Sequence, residues 1–189
     1  MLKLKSSKKV YRSKWMTVYE DLVIDDKEQA AVGTFNRINV DDAATIVPIF
    51  EDGSLLMVEN YRHAVSTNLL ELPGGLVRRN EQEEKAGEGG EEREQPFDTA
   101  KRELLEETGY ASDNMEFINW FYTWPGRATQ RNFVFMAKGL KEVKFEQKLE
   151  EFEYTKVCKV DREQVKQELK NGRIKSAVTI SALLYGYFL

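Results

Sequence analysis

Three glutamates in the stretch Arg102-Glu103-Leu104-Leu105-Glu106-Glu107-Thr108-Gly109-Tyr110 constrain this chain more than any other feature. They stand at i, i+3 and i+4. On a helix of about 3.6 residues per turn they share an arc of roughly 100°. Like charges so placed repel, and an i,i+4 pair weakens a helix by a few tenths of a kcal/mol. A solvated acidic face is the ordinary meaning of such a run. The cluster gains a purpose if a hard cation sits on it, because Mg²⁺ takes carboxylate oxygens and keeps positions for water and phosphate. Leu104 and Leu105 leave the acidic face and can anchor the helix in a core. Gly109 supplies the left-handed residue that ends a helix.

With 189 residues, 41% of them hydrophobic and 11% aromatic, the chain can bury the core of one domain plus a small appendage. A net charge of −4, without a basic stripe carrying aromatics, argues against a nucleic-acid partner. Lys3, Lys5, Lys8 and Lys9 are not followed by the apolar region of a signal peptide. No stretch approaches the ~18 apolar residues of a membrane span. Cys158 and His63 are each the only residue of their kind, which excludes a disulfide framework, a cysteine zinc site and histidine-rich metal centres. His63 reads as a structural histidine, and the expected location is the cytoplasm.

Residues 10–40 alternate loosely between apolar and polar and predict two or three antiparallel strands turning near Asp25-Asp26. Their Trp15 and Phe35 read first as core residues. Glu51-Asp52-Gly53-Ser54, between Thr45–Phe50 and Leu55–Val58, is a hairpin signal. Leu69–Leu72 is a short strand stopped by Pro73-Gly74-Gly75. Residues 78–95 contain no large apolar side chain and read as a mobile surface loop. Pro96 suits the first turn of a helix reaching Thr108. Strands follow near 116–123, 132–137 and 154–160. Asp161 caps a helix ending at Asn171-Gly172. Ser176 to Leu189 is apolar almost all round and predicts a buried C-terminal helix.

Arg-Glu-apolar-any-Glu-Glu-any-Gly-apolar, over residues 102–110, resembles the second half of the signature of Nudix hydrolases. The first half appears in two pieces. Gly75 precedes Glu81 by the right spacing, and Glu94 precedes Arg102 by the right spacing, with 13 extra residues between the pieces. The simplest reading is a loop insertion of about 82–94, and either Glu81 or Glu94 can take the signature's loop position. Asn60-Tyr61-Arg62, Leu70-Glu71-Leu72-Pro73-Gly74-Gly75, Pro125 and Gly172-Arg173-Ile174-Lys175-Ser176-Ala177 resemble the ADP-ribose pyrophosphatase-like branch. A departure follows Pro125-Gly126, where the branch usually carries an acidic residue and this chain has Gln130.

The resemblance implies an α/β fold, a Nudix α/β/α sandwich with a mixed sheet, preceded by a small N-terminal antiparallel sheet. It implies residues 1–41 as a strand region for dimerisation and substrate, and 42–189 as the hydrolase domain. The implied reaction is Mg²⁺-dependent hydrolysis, with Mn²⁺ as a substitute, of the diphosphate bond of ADP-ribose or a related nucleoside diphosphate sugar by a homodimer. A GDP-mannose-type pyrophosphatase is the alternative, and a silent nucleotide-sensing module is a reading from another class.

Glu103 and Glu107 are the first metal ligands, with Glu106 between them. By resemblance, the Gly74 carbonyl joins them, and Glu153 or Glu151 in a later acidic loop activates water. Arg102 is expected to point away from the acidic cluster and pair with a loop glutamate, orienting the helix, and Glu94 is expected to support the ligands without holding the metal. Arg62 can hold phosphate or sugar through its planar fork, or form a surface ion pair. Glu71 can meet a ribose hydroxyl or a metal, and Trp124 can line the pocket. By resemblance, Trp15 or Phe35 can also stack on a base across the dimer.

Overall fold

A computed structural model describes residues 1–78, 94–143 and 155–189 of the chain. Glu81, the stretch expected to be an insertion as far as residue 93, and the acidic loop with Glu151 and Glu153 lie outside the described residues. The chain divides into two compact units. One is Met1–Asp42 with Tyr122–Arg131, the other Ala43–Phe121 with Asn132–Leu189.

The first unit is a three-stranded antiparallel meander of β1 (Leu2–Arg12), β2 (Met16–Asp25) and β3 (Ala31–Val40). Its second turn forms where expected, because the Asp25 carboxylate accepts from the backbone N–H groups of Lys27 at 2.8 Å and Glu28 at 3.2 Å. Residues 122–131 join through backbone bonds of Ile38 N–H to Arg127 O at 2.8 Å and Thr129 N–H to Ile38 O at 3.1 Å. Three strands make a thin core. Trp15 and Phe35 are 52% and 46% exposed, so neither is a core residue as the sequence suggested. A single small sheet has two faces and too little chain to cover both.

The second unit runs β4 (Ala43–Pro48), β5 (Leu55–Arg62), β6 (Thr67–Glu71), β7 (Gly74–Leu76), α1 (Pro96–Thr108), β8 (Tyr110–Tyr122), β9 (Arg131–Glu142), β10 (Thr155–Val160), α2 (Arg162–Lys170) and α3 (Ala177–Leu183). One sheet has the order β7-β4-β9-β8 and is mixed, with β4 parallel to β9 and antiparallel to β7. The other, β10-β5-β6, is antiparallel. Side chains alternate across β4. Ala44 and Ile46 pack with Ala100 and Leu104 of α1, whereas Val47 packs with Val165 of α2 and Leu183 of α3. Helices therefore lie on both sides of the strands, and the expected α/β/α sandwich with a mixed sheet forms.

Local signals act as predicted at several joints. Pro96 opens α1, and Gly109 closes it at φ 73°, with its N–H on Leu105 O at 2.9 Å. Asp161 accepts from Gln164 N–H at 2.8 Å and caps α2. The 51–54 turn forms, with Phe50 N–H on Ser54 O at 2.9 Å, but after a single Ile49–Leu55 bridge β4 and β5 enter different sheets. The C-terminal segment corrects its expectation. After α3 the chain widens into a π-type turn, Leu184–Phe188, and only one stripe is buried: Ile180 and Leu184 are 42% and 50% exposed. Among the described residues, no helix is long and apolar enough to cross a membrane.

Candidate active site

The acidic helix faces the strand that precedes the undescribed stretch. Gly75 on β7 lies directly under Glu103 of α1. A Cβ built at Gly75 would sit 2.2 Å from Glu103 Oε1, so only glycine leaves room for this carboxylate. Burial pushes the Glu103 carboxyl above the usual carboxylate range, with Arg102 pulling the other way. One residue back, the Gly74 N–H donates to Glu107 Oε2 at 2.9 Å, and Glu107 is buried. The Gly74-Gly75 backbone thus touches two of the three predicted metal ligands.

Arg102 does not point away from the acidic cluster, which corrects the sequence expectation. Its Nη1 donates to Glu103 Oε1 at 2.7 Å and Glu106 Oε2 at 2.9 Å. Its Nε and Nη2 each reach the Glu94 carboxylate at 3.0 Å, and Nη2 also reaches Leu76 O at 3.3 Å. The physical reason is donor supply: a guanidinium carries five N–H groups, and one carboxylate engages only part of them. The expected pairing with a loop glutamate is present as well, with Glu94 as the partner.

Glu94 also accepts from Thr99 Oγ1 at 2.9 Å and from Arg78 N–H at 3.2 Å, and its own N–H donates to Arg78 O at 3.0 Å. Burial alone would raise its pKa, but Arg102, Arg78 and Thr99 together hold it below the ordinary value. Arg78 adds a bond to Glu106 at 3.3 Å.

The remaining candidates are more scattered. Arg62 and Glu71 pair with each other, Nε to Oε2 at 2.8 Å, and Glu71 is buried. His63 lies exposed in a 3₁₀ turn. In the first unit, Asp21, Phe35, Arg37, Tyr122, Pro125 and Arg127 line a groove of about 450 Å³. Arg37 stacks on Tyr19 at 4.4 Å and donates to Asp21 at 2.6 Å, which holds the Asp21 carboxyl below its usual range. Trp124 is 56% exposed, and it is its neighbours Pro125 and Gly126 that line the groove. Gln130 is a strut: its amide donates to Asp41 O at 2.8 Å and accepts from Thr123 Oγ1 at 3.0 Å. The groove and the strut involve long-range contacts that periodicity cannot show.

Among the described residues, no three acidic, histidine or cysteine side chains converge as a ready cage. What fits a hard cation is the donor chemistry. The cluster offers carboxylate oxygens, and one of those carboxylates, Glu103, is buried enough to gain from a positive partner.

A family model described as NUDIX domain matches residues 40–181. The chain belongs to the NUDIX family. It is 30% identical over 166 residues to a methanol dehydrogenase activator from Bacillus methanolicus, covering 87% of this chain and 83% of that protein. It is 28% identical over 167 residues to an ADP-ribose pyrophosphatase from Bacillus subtilis, with the same two coverages of 87% and 83%. A solved structure described as an ADP compounds hydrolase shares the fold at a TM-score of 0.77 and 20% identity, covering 97% of this chain and 91% of that one. The NUDIX family generally works with divalent metal ions.

Two predictions follow from this geometry. Gly75→Ala drives a methyl into a carboxylate at the end of a flexible side chain, so the fold should survive while Glu103 is displaced. Hydrolysis should fall by about 100-fold, the scale for a misplaced active-site group, with the melting temperature moving only a few degrees; an unchanged rate would show that Glu103 need not lie there. Glu94→Gln tests the clamp through pH. A carboxylate with a lowered folded pKa contributes stability above its unfolded value and loses it as pH falls through the folded one. The variant should melt below the parent at pH 7, and the gap should narrow in acid below the ordinary value of 4.5. A constant gap across that range would mean the Glu94 charge is not what stabilises the clamp.

Proposed function

We propose that this NUDIX protein hydrolyses the diphosphate bond of ADP-ribose or a related nucleoside diphosphate sugar, giving a nucleoside monophosphate and a sugar phosphate. The observation that carries the proposal is the acidic helix seated on Gly74-Gly75, in a chain similar along most of its length to an ADP-ribose pyrophosphatase. Glu103, Glu106, Glu107 and the Gly74 carbonyl are the groups that would hold Mg²⁺, with Mn²⁺ as a substitute. Such an ion neutralises phosphate charge and lowers the pKa of a bound water.

The chain's own residues supply the rest. The Gly74 N–H fixes the orientation of Glu107, and Arg102 ties the acidic face of α1 to Glu94. Glu153 or Glu151 accepts the proton of the attacking water, a role for a carboxylate within reach of the reacting atoms. Arg62, oriented by Glu71, presents a guanidinium to phosphate or sugar. Trp15 or Phe35, both exposed, offers a stacking face for a base across the dimer. Gln130 favours keeping GDP-mannose-type substrates as the alternative, since its amide is committed to the loop and brings no negative charge.

We place the protein in the cytoplasm as a homodimer whose N-terminal strands reach the partner. Leu2, Leu4, Val10, Tyr11 and Val32, each at least half exposed on those strands, support a covered surface.

A panel of ADP-ribose and GDP-mannose with Mg²⁺, products separated by chromatography, should show a monophosphate and a sugar phosphate. Glu107→Gln should lower kcat by at least ~100-fold, as for loss of a group stabilising transition-state charge. Near-normal turnover would reduce the cluster to a solvated face. Light scattering at micromolar concentration should give twice 21.9 kDa, and a particle of 21.9 kDa rejects the dimer.

A further inference from the structure

Where the chain leaves β6 for β7 it changes sheets, and Leu72 and Pro73 belong to neither ladder. Backbone polar groups at such a crossing must find partners elsewhere when buried. Leu72 is 5% exposed, and its N–H donates to Thr179 Oγ1 at 3.3 Å. The Pro73 carbonyl accepts from Ile46 N–H at 2.9 Å. The Gly74 N–H donates to Glu107 Oε2 at 2.9 Å. Three consecutive residues are thus held by three elements, α3, β4 and α1 in turn.

The first of these holds is a side-chain hydroxyl in an otherwise largely apolar helix. Thr179 is 2% exposed, and its own N–H donates to Ser176 Oγ at 3.4 Å, the cap of α3. Pro73 has no N–H, so Leu72 carries the last backbone donor before Gly74. The opposite side of the crossing is fixed too: a Cβ at Gly74 would lie 2.3 Å from Ala44 O, so the backbone there is pressed against β4.

We propose that Thr179 is a positioning residue for the metal site. Its hydroxyl fixes the Leu72 amide, sets the path of the 72–74 backbone, and so sets where Gly74 meets Glu107. The inference rests on the reading of the acidic helix as a divalent-cation site. It assigns to the C-terminal helix a part in that site although the helix supplies no ligand.

Thr179→Val keeps the shape and removes the acceptor, whereas Thr179→Ser keeps the hydroxyl. Two measurements on the full-length chain separate positioning from simple stability. The first is amide hydrogen exchange across residues 70–76 without metal. It should accelerate in Thr179→Val and stay close to the parent in Thr179→Ser. The second is Mn²⁺ affinity, read directly from the electron paramagnetic resonance of free Mn²⁺. It should weaken by about tenfold to a hundredfold in Thr179→Val, the usual range when a group orienting a metal ligand is removed, and recover in Thr179→Ser. If Thr179→Val does not fold, Thr179→Cys, whose thiol is a weaker acceptor, should fall between parent and loss on both readouts. Parent-like exchange or parent-like Mn²⁺ affinity in the hydroxyl-less variant overturns the proposal. A parent chain that binds no Mn²⁺ overturns the metal site itself, and the exchange data then show whether Thr179 anchors the crossing for stability alone.

Discussion

The grip of Arg102 on Glu94 is the interaction on which the site's geometry depends. Arg102 stands on α1 beside the acidic face, and Glu94 lies just before α1. Arg78 exchanges backbone and side-chain bonds with Glu94 at 3.0 and 3.2 Å. Arg78 and Glu94 are therefore held to each other at one point. Closure entropy grows only with the logarithm of loop length. An insertion between Arg78 and Glu94, as the spacing in the sequence implies, would leave β7 and α1 tied at that point.

The same guanidinium sets the electrostatic balance. Among the described residues, three carboxylates, Glu94, Glu103 and Glu106, hydrogen-bond to Arg102, and Arg78 reaches only the last of them with its side chain. Glu94 is held below the ordinary carboxylate range, while burial leaves Glu103 above it. One Arg cannot satisfy several carboxylates equally, and the most buried one is left least favoured as an anion. The named set keeps a negative excess before Glu107 is counted. That negative excess, pressed against a glycine backbone, is what the proposed reading assigns to a divalent cation.

Much of this was legible in the sequence because it was written in local chemistry. Pro96 and Gly109 bound α1, and Asp161 caps α2, since each acts within a turn of its own position. Between Glu81 and Glu94 the sequence leaves both open, because both satisfy a spacing. Arg102 and Thr99 bond Glu94, a contact that no count of residues contains. For Arg102 the sequence points to a single loop partner, whereas its guanidinium has donors for several. Trp15 and Phe35 looked like core by residue type, and the small size of their sheet overrode that preference. The C-terminal segment looked buried by composition, yet α3 turns Ile180 and Leu184 outward because a helix against one surface can bury only one stripe.

Thr179 shows where a sequence signal existed and was easy to pass over. A hydroxyl in an apolar helix is commonly satisfied by its own preceding turn. Here it accepts from Leu72, 107 residues away in the chain. The reason lies in the architecture rather than in the helix. A mixed sheet beside an antiparallel one requires the chain to cross between sheets, and a crossing leaves backbone donors and acceptors between ladders. One such crossing falls on Leu72-Pro73, immediately before the glycines that meet Glu103 and Glu107. The irregular backbone that brings an amide to Glu107 is therefore the same backbone that needs α3 and β4 to hold it. On the proposed reading, where Gly74 meets Glu107 follows from how that crossing is pinned, so α3 and β4 bear on the site through the 72–74 backbone.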